Sequence, residues 1–205
     1  MTQIMGEKPP LDYSFSDDDF LLLAAETEDL SGLKELISKG VDVNLCNPDG
    51  QSPLILAAEE NFTNGVEFLI HSGADLKRDG ISALHAAISR DHLEIAEILV
   101  SNGVSLTSID SSNGWTALDS AALLSSPLTL RWVLDRELEI NRRDNGGTTP
   151  LIHAAVSGSL EKVAMLLQAG ADPHIKDNEG NTALDWALMN EFDVAAKELR
   201  RAMDQ

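Results

Sequence analysis

The side chains of this sequence able to do chemistry are five histidines, His71, His85, His92, His153 and His174, the lone Cys46, the pair Glu59-Glu60 and the run Asp17 to Asp19. Binding a metal needs ligands gathered on one face, as His-Glu-x-x-His or Cys-x-x-Cys would gather them, and neither spacing occurs. General acid-base work needs two carboxylates converging on a pocket. The Asp run instead stands at a helix start, where the helix dipole favours negative charge. No glycine-rich phosphate loop follows a strand and no Gly-x-Ser-x-Gly elbow appears. The expectation is a chain with no catalytic residue, no cofactor and no metal.

If the chain does no chemistry, its surface carries the function. Lys plus Arg number 15 against 34 Asp plus Glu, a formal charge of −19, which disfavours nucleic acid and anionic membranes as direct partners. The acidity serves either solubility or attraction of a basic partner, and both readings stand. With Glu7 early and acids at 17 to 19, the start lacks a basic flank and apolar run, so neither a signal peptide nor a membrane span is expected. Cys46 has no internal partner, which fits a reducing compartment and a cytoplasmic location. The sequon Asn61-Phe62-Thr63 is therefore expected to stay unmodified.

Of the 205 residues, 43% are apolar and 4% aromatic, so a core must be built from closely packed Leu, Ala, Ile and Val, which favours helices. The elements that would position the surface come from a repeat. Leu54, Leu84, Leu118, Leu151 and Leu184 each precede an alanine by three residues, at spacings of 30, 34, 33 and 33, and Leu21 with Ala24 forms an earlier copy. Two residues before each leucine stands Ser52, Ser82, Thr116, Thr149 or Thr182, with Asp19 in the first copy. These are expected N-caps, and Pro53 and Pro150 suit the first helical position.

A second helix in each unit is marked by Leu36-Ile37, Leu69-Ile70, Leu99-Val100, Val133-Leu134 and Leu166-Leu167. Leu33, Val66, Ala96, Leu130 and Val163 lie three residues upstream. Gly40, Gly73, Gly103 and Gly170 end these helices 19 residues after the repeat's leucine, while the fourth copy has Glu137 there. Asp49-Gly50, Asp79-Gly80, Asn113-Gly114, Gly147 and Gly180 then mark projecting turns. The third copy, starting at Asp79, is short in its turn.

This pattern, most plainly Gly147-Thr-Thr-Pro-Leu-Ile-His-Ala-Ala155 followed by Leu166-Leu-Gln-Ala-Gly-Ala-Asp172, resembles the ankyrin repeat over residues 17 to 205. The resemblance implies an all-α solenoid of stacked helix-turn-helix units, whose faces are buried only by neighbours and whose terminal units act as caps. Six units are expected, at about 17–46, 47–78, 79–109, 110–143, 144–176 and 177–205, with 1–16 as either a loose tail or a cover over Leu22 and Leu23. Leu199 followed by Arg200 and Arg201 reads as the C-terminal cap. His85 holds the family's Thr-Pro-Leu-His position, where imidazole ties turn to helix. Asn44 and Asn141 sit where some members are hydroxylated.

The family's partners lie against a concave face made of turn tips and the exposed ends of the first helices. Carried onto this sequence, the tips are Asp49 and Gln51, Ile81, Trp115, and Thr148; the helix ends are Glu26, Glu59 and Glu60, Arg90, Leu123 and Leu124, and Val156. The edge passes from acidic to apolar along the chain. A monomer that binds another protein, with a basic surface as the natural complement, is the expected function, as adaptor or inhibitor. One rival is an immunity protein neutralising a basic toxin or enzyme. Another is a hydrolase or transferase that uses the acidic edge.

Overall fold

The computed structural model describes residues 15–136 and 139–204. Glu137, the expected departure at the fourth stop, and residues 1–14 of the expected tail lie outside the described residues. Within them the chain forms twelve helices and no strand: α1 Asp17–Glu26, α2 Leu30–Ser38, α3 Pro53–Glu59, α4 Thr63–His71, α5 Leu76–Ser89, α6 Leu93–Ser101, α7 Ala117–Leu124, α8 Pro127–Leu134, α9 Pro150–Val156, α10 Leu160–Gln168, α11 Ala183–Met189 and α12 Asp193–Met203. Each odd-numbered helix packs on the even-numbered helix that follows it and on the next odd-numbered one, giving a row of first helices backed by a row of second helices.

Small residues make that stacking possible. Ala25, Ala57, Ala58, Ala87, Ala121, Ala122, Ala154, Ala155 and Ala187 are all fully buried, so first helices approach closely with the leucines at 21, 54, 84, 118 and 151 between them. On the second helices Leu33, Val66, Ala96, Leu130 and Val163 are likewise buried, as the stripe demands. Helices of seven to eleven residues are too short to persist alone in water, so this packing is what holds most of them.

Helix starts follow the expected chemistry with two corrections. Ser52, Thr149 and Thr182 cap α3, α9 and α11, and Thr116 with Asp119 forms a capping box on α7. The first helix, however, is capped by Ser16, and Asp19 occupies its third position, reaching back to the Ser16 backbone N–H at 2.8 Å. In the third unit Ser82 is no cap. Asp75 caps α5, which runs fourteen residues through the positions where other units form their turn. The three residues missing from that spacing leave no chain for a projection, so Asp79 and Gly80 become buried helix residues. A Cβ on Gly80 would lie 2.7 Å from Val104 Cγ2. Ile81 is thus a half-buried helical residue and not a turn tip.

The ends differ from the middle. Phe20 and Leu23 stay 45% and 44% exposed on the outer side of α1, Leu22 is half-buried, and Phe15 rests against Phe20 with ring centroids 5.9 Å apart. At the other end Leu188 and Met189 of α11 are exposed. The stop glycines at 40, 73, 103 and 170 have φ of 93° to 96°, which makes glycine necessary there.

Candidate protein-interaction surface

The turns at 47–51, 110–115, 144–148 and 177–181 share one construction, in which an Asn or Asp side chain accepts the backbone N–H groups of its own turn. Asn47 accepts from Asp49 and Gln51, Asp144 from Gly146 and Thr148, and Asp177 from Glu179 and Asn181, all near 2.8 to 3.0 Å. Hydrogen bonds from Trp186 and these N–H groups outweigh burial and hold the Asp177 carboxyl below its ordinary range. The last three turns are stitched together: Asn145 N–H donates to Asn113 O, Asn178 N–H to Gly146 O and Arg142 to Gly114 O. Asn44 and Asn141 serve the same end by accepting the N–H of Asp75 and Asp172 in the following unit.

Beside the turns, the first-helix ends form two register rows. One runs Glu26, Glu59, Ser89, Leu123, Val156, Met189; the other runs Thr27, Glu60, Arg90, Leu124, Ser157, Asn190. Glu26 and Asp49 are exposed, while Leu124 and Met189 expose 53% and 57% of their surface. The acidic pair is bridged: Arg90 lies 3.8 Å from Glu59 and 3.5 Å from Glu60, and Gln51 donates to Glu59 at 3.2 Å. The three charges therefore sum to one net negative charge, a weaker acidic patch than the residue types alone suggest.

Trp115, expected to project, is half-buried. Its indole N–H donates to Asp144 Oδ2 at 3.0 Å and its ring meets His153 edge-on, with centroids 4.9 Å apart. His153, at 3.1 Å from Asp144, is also the imidazole that ties turn to helix. His85 has no turn of its own to hold, because α5 replaces it, and instead lies 3.3 Å from Ser120 of the next unit. Burial pushes the His85 imidazole below its ordinary value.

Another group lies behind Leu123 and Leu124. In most units the loop between the helices turns through a left-handed residue, namely Glu28, Asn61, Asp91, Gly158 or Glu191, whereas Ser125 is extended and Pro127 opens α8. The polar groups this frees are met by both neighbours. Asp91 accepts from the backbone and hydroxyl of Ser126 and from Thr129, while the buried Lys162 ammonium donates to the carbonyls of Leu123 and Ser125 at 3.1 and 3.2 Å. Burial pulls Lys162 below its ordinary value, against the attraction of Asp91. This clamp escaped sequence reasoning. Its signal is a lysine at a register position that holds Gly32, Gly65, Ile95, Thr129 and Ala195 elsewhere.

Among the described residues no set of three or more His, Cys, Asp or Glu side chains is arranged to hold a metal ion, and no helix is long and apolar enough to cross a membrane. The family model for ankyrin repeats in three copies matches residues 21–110, 63–144, 106–177 and 143–202. The chain belongs to the ankyrin-repeat family. As such it is a protein-interaction module. It is similar to the ankyrin repeat protein YahD of Escherichia coli K12, 27% identical over 186 residues that cover 87% of this chain and 92% of that one. It is 32% identical over 166 residues to the nuclear factor NF-kappa-B p105 subunit of Gallus gallus; the match takes in 78% of this chain but spans 17% of that relative's length. Among solved structures, the predatory endopeptidase Bd0816 of Bdellovibrio bacteriovorus in complex with immunity protein Bd3460 contains a chain that superposes with a TM-score of 0.77. The two are 30% identical, covering 89% of this ankyrin-repeat chain and 97% of that one.

Proposed function

We propose that this ankyrin-repeat protein acts by covering part of a partner protein, with no chemistry of its own, through the face made by the turn tips and the first-helix ends. The observation that carries this is the register row Glu26, Glu59, Ser89, Leu123, Val156, Met189, which passes from charged to apolar along one edge. Leu124 and Met189 each expose apolar surface along these rows, with the polar Ser157 and Asn190 beside them, which suits a contact surface. A monomeric, cytoplasmic protein meeting a partner with basic groups opposite the first two repeats and apolar anchors opposite the last three fits this layout. Similarity to a chain of the endopeptidase and immunity-protein complex favours one version of the reading, in which the partner is an enzyme and this chain its inhibitor.

Affinity capture with mass spectrometry, run with the native protein and with a Leu124→Arg, Met189→Arg variant that keeps its helical circular dichroism, tests the proposal. A partner held by the native protein and lost from the variant is expected. A partner held equally by both removes this face from the interface.

A further inference from the structure

The elements that carry Trp115 enclose a set of ionisable side chains that protein binding does not itself require. Asp119, 1% exposed at the third position of α7, accepts the backbone N–H and the hydroxyl of Thr116 on Oδ2, at 2.8 and 2.9 Å, while its Oδ1 has no hydrogen-bond partner. Facing it at 4.0 Å is His153 Nε2 of α9, which lies 3.1 Å from Asp144 Oδ2, the oxygen that also accepts the Trp115 indole N–H. Arg142 approaches Asp119 Oδ2 to 3.9 Å but gives its hydrogen bond to the Gly114 carbonyl. On the other elements packed against α9, Lys162 of α10 directs its ammonium to the Leu123 and Ser125 carbonyls, and Asp185 of α11 is bonded by Thr182. With His153 neutral, Asp119 and Asp144 outnumber Arg142 by one negative charge, in a place where an uncompensated charge is costly.

We propose that Asp119, His153 and Asp144 form a proton-operated latch between the fourth and fifth repeats, in which taking up one proton closes the gap between Asp119 and His153 and strengthens the hold of Asp144 on the Trp115 indole. The proton comes from solvent and settles on Asp119 Oδ1, turning the unpartnered acceptor into a donor. The acceptor facing it at 4.0 Å is His153 Nε2, which becomes available when the imidazole moves its own hydrogen from Nε2 to Nδ1. Asp144 Oδ2 then loses its imidazole donor and keeps the indole of Trp115 as its donor. Burial favours this placement twice: it pushes the Asp119 carboxyl up, against the Thr116 hydrogen bonds, and pushes the His153 imidazole down, against the two carboxylates. The latch stands whether or not Trp115 touches a partner.

Proton–nitrogen NMR of the intact protein, from about pH 7.5 to about pH 3.5, tests it, a range that spans ordinary imidazole and aspartate titration. The indole signal of Trp115 should move downfield as pH falls, with the same midpoint as a change of His153 from the Nε2–H to the Nδ1–H form. In Asp119→Asn the side-chain amide is a permanent donor, so Trp115 should hold its low-pH position throughout. A Trp115 signal that stays still while His153 titrates overturns the latch, as does a variant that keeps the native pH dependence. Should the variant fail to fold, separate midpoints for Trp115 and His153 in the native protein overturn it.

Discussion

His85 and Trp115 show how a residue's neighbours redirect a role its type suggests. His85 stands at a turn-tying position in a unit whose turn is missing, so its imidazole lies half-buried near Ser120 and is held below its ordinary value by the loss of water around it. Because the folded state favours the neutral ring, the stability this group contributes is fully present above the unfolded imidazole pKa of about 6.5 and is lost as pH falls through the lower folded value. Urea midpoints measured at falling pH should therefore decline, and His85→Gln should shrink that decline; an unchanged slope in the variant would exclude His85 as its source. Trp115 was legible as a side chain near the turn tip, but its bond to Asp144 joins residues 29 apart in sequence and no spacing rule reveals it. The buried carboxylate Asp119 was half legible, since Thr116-x-x-Asp119 spells a capping box, while its place opposite His153 depends on the stack.

At the scale of elements, the helix pairs were readable because each rests on local chemistry repeated several times: a hydroxyl cap, a leucine, an alanine face and a glycine stop. The departures came from deletion and from compensation across repeats. Losing three residues before Leu84 fused the third turn into α5, and the extended Ser125 left polar groups that Asp91 and Lys162 answer from the units on either side. Replacing Lys162 with Met keeps much of the side chain's length but strips the buried Ser125 carbonyl and the half-buried Leu123 carbonyl of their donor and Asp91 of its cation. We expect a loss on the order of 2 to 4 kcal/mol in urea unfolding, set against about 0.5 kcal/mol or less for the exposed Lys197→Met. Equal losses in the two variants would mean that the ammonium is no clamp.

For the whole molecule, charge is distributed as unevenly as the surface rows. Residues 1 to 102 carry 19 acidic and 6 basic side chains, and residues 103 to 205 carry 15 and 9. If the acidic half steers a basic partner, association should slow as salt rises while dissociation changes less, because exposed charges are screened beyond about 8 to 10 Å near physiological ionic strength. Replacing Glu26, Glu59 and Glu60 with Gln should flatten that dependence, though Arg90 already offsets part of the pair. Association rates across a salt series decide it, and identical slopes would leave the acidity as a solubility device.

The fused third turn also sets the mechanics of the stack. Along the tip side, hydrogen bonds join the segment at 44 to that at 73–78, and the turns at 113, 145 and 178 to one another. Between these two seams the third and fourth units are joined away from the turn tips, by Ser120 with His85 at 3.3 Å and, at the loops between helices, by Asp91 with Ser126 and Thr129. Bonds set back from the tips hold two units together while leaving their turns free to part, so the solenoid is a C-terminal block and an N-terminal one meeting at a joint whose tip side can open. Bending should concentrate there, letting the acidic half swing to fit a partner already seated on the apolar half. Spin labels on Asp49 and Asn181 would show a broad distance distribution, against a narrow one for Asn113 and Asn181; equal widths would mean that the stack bends as one piece.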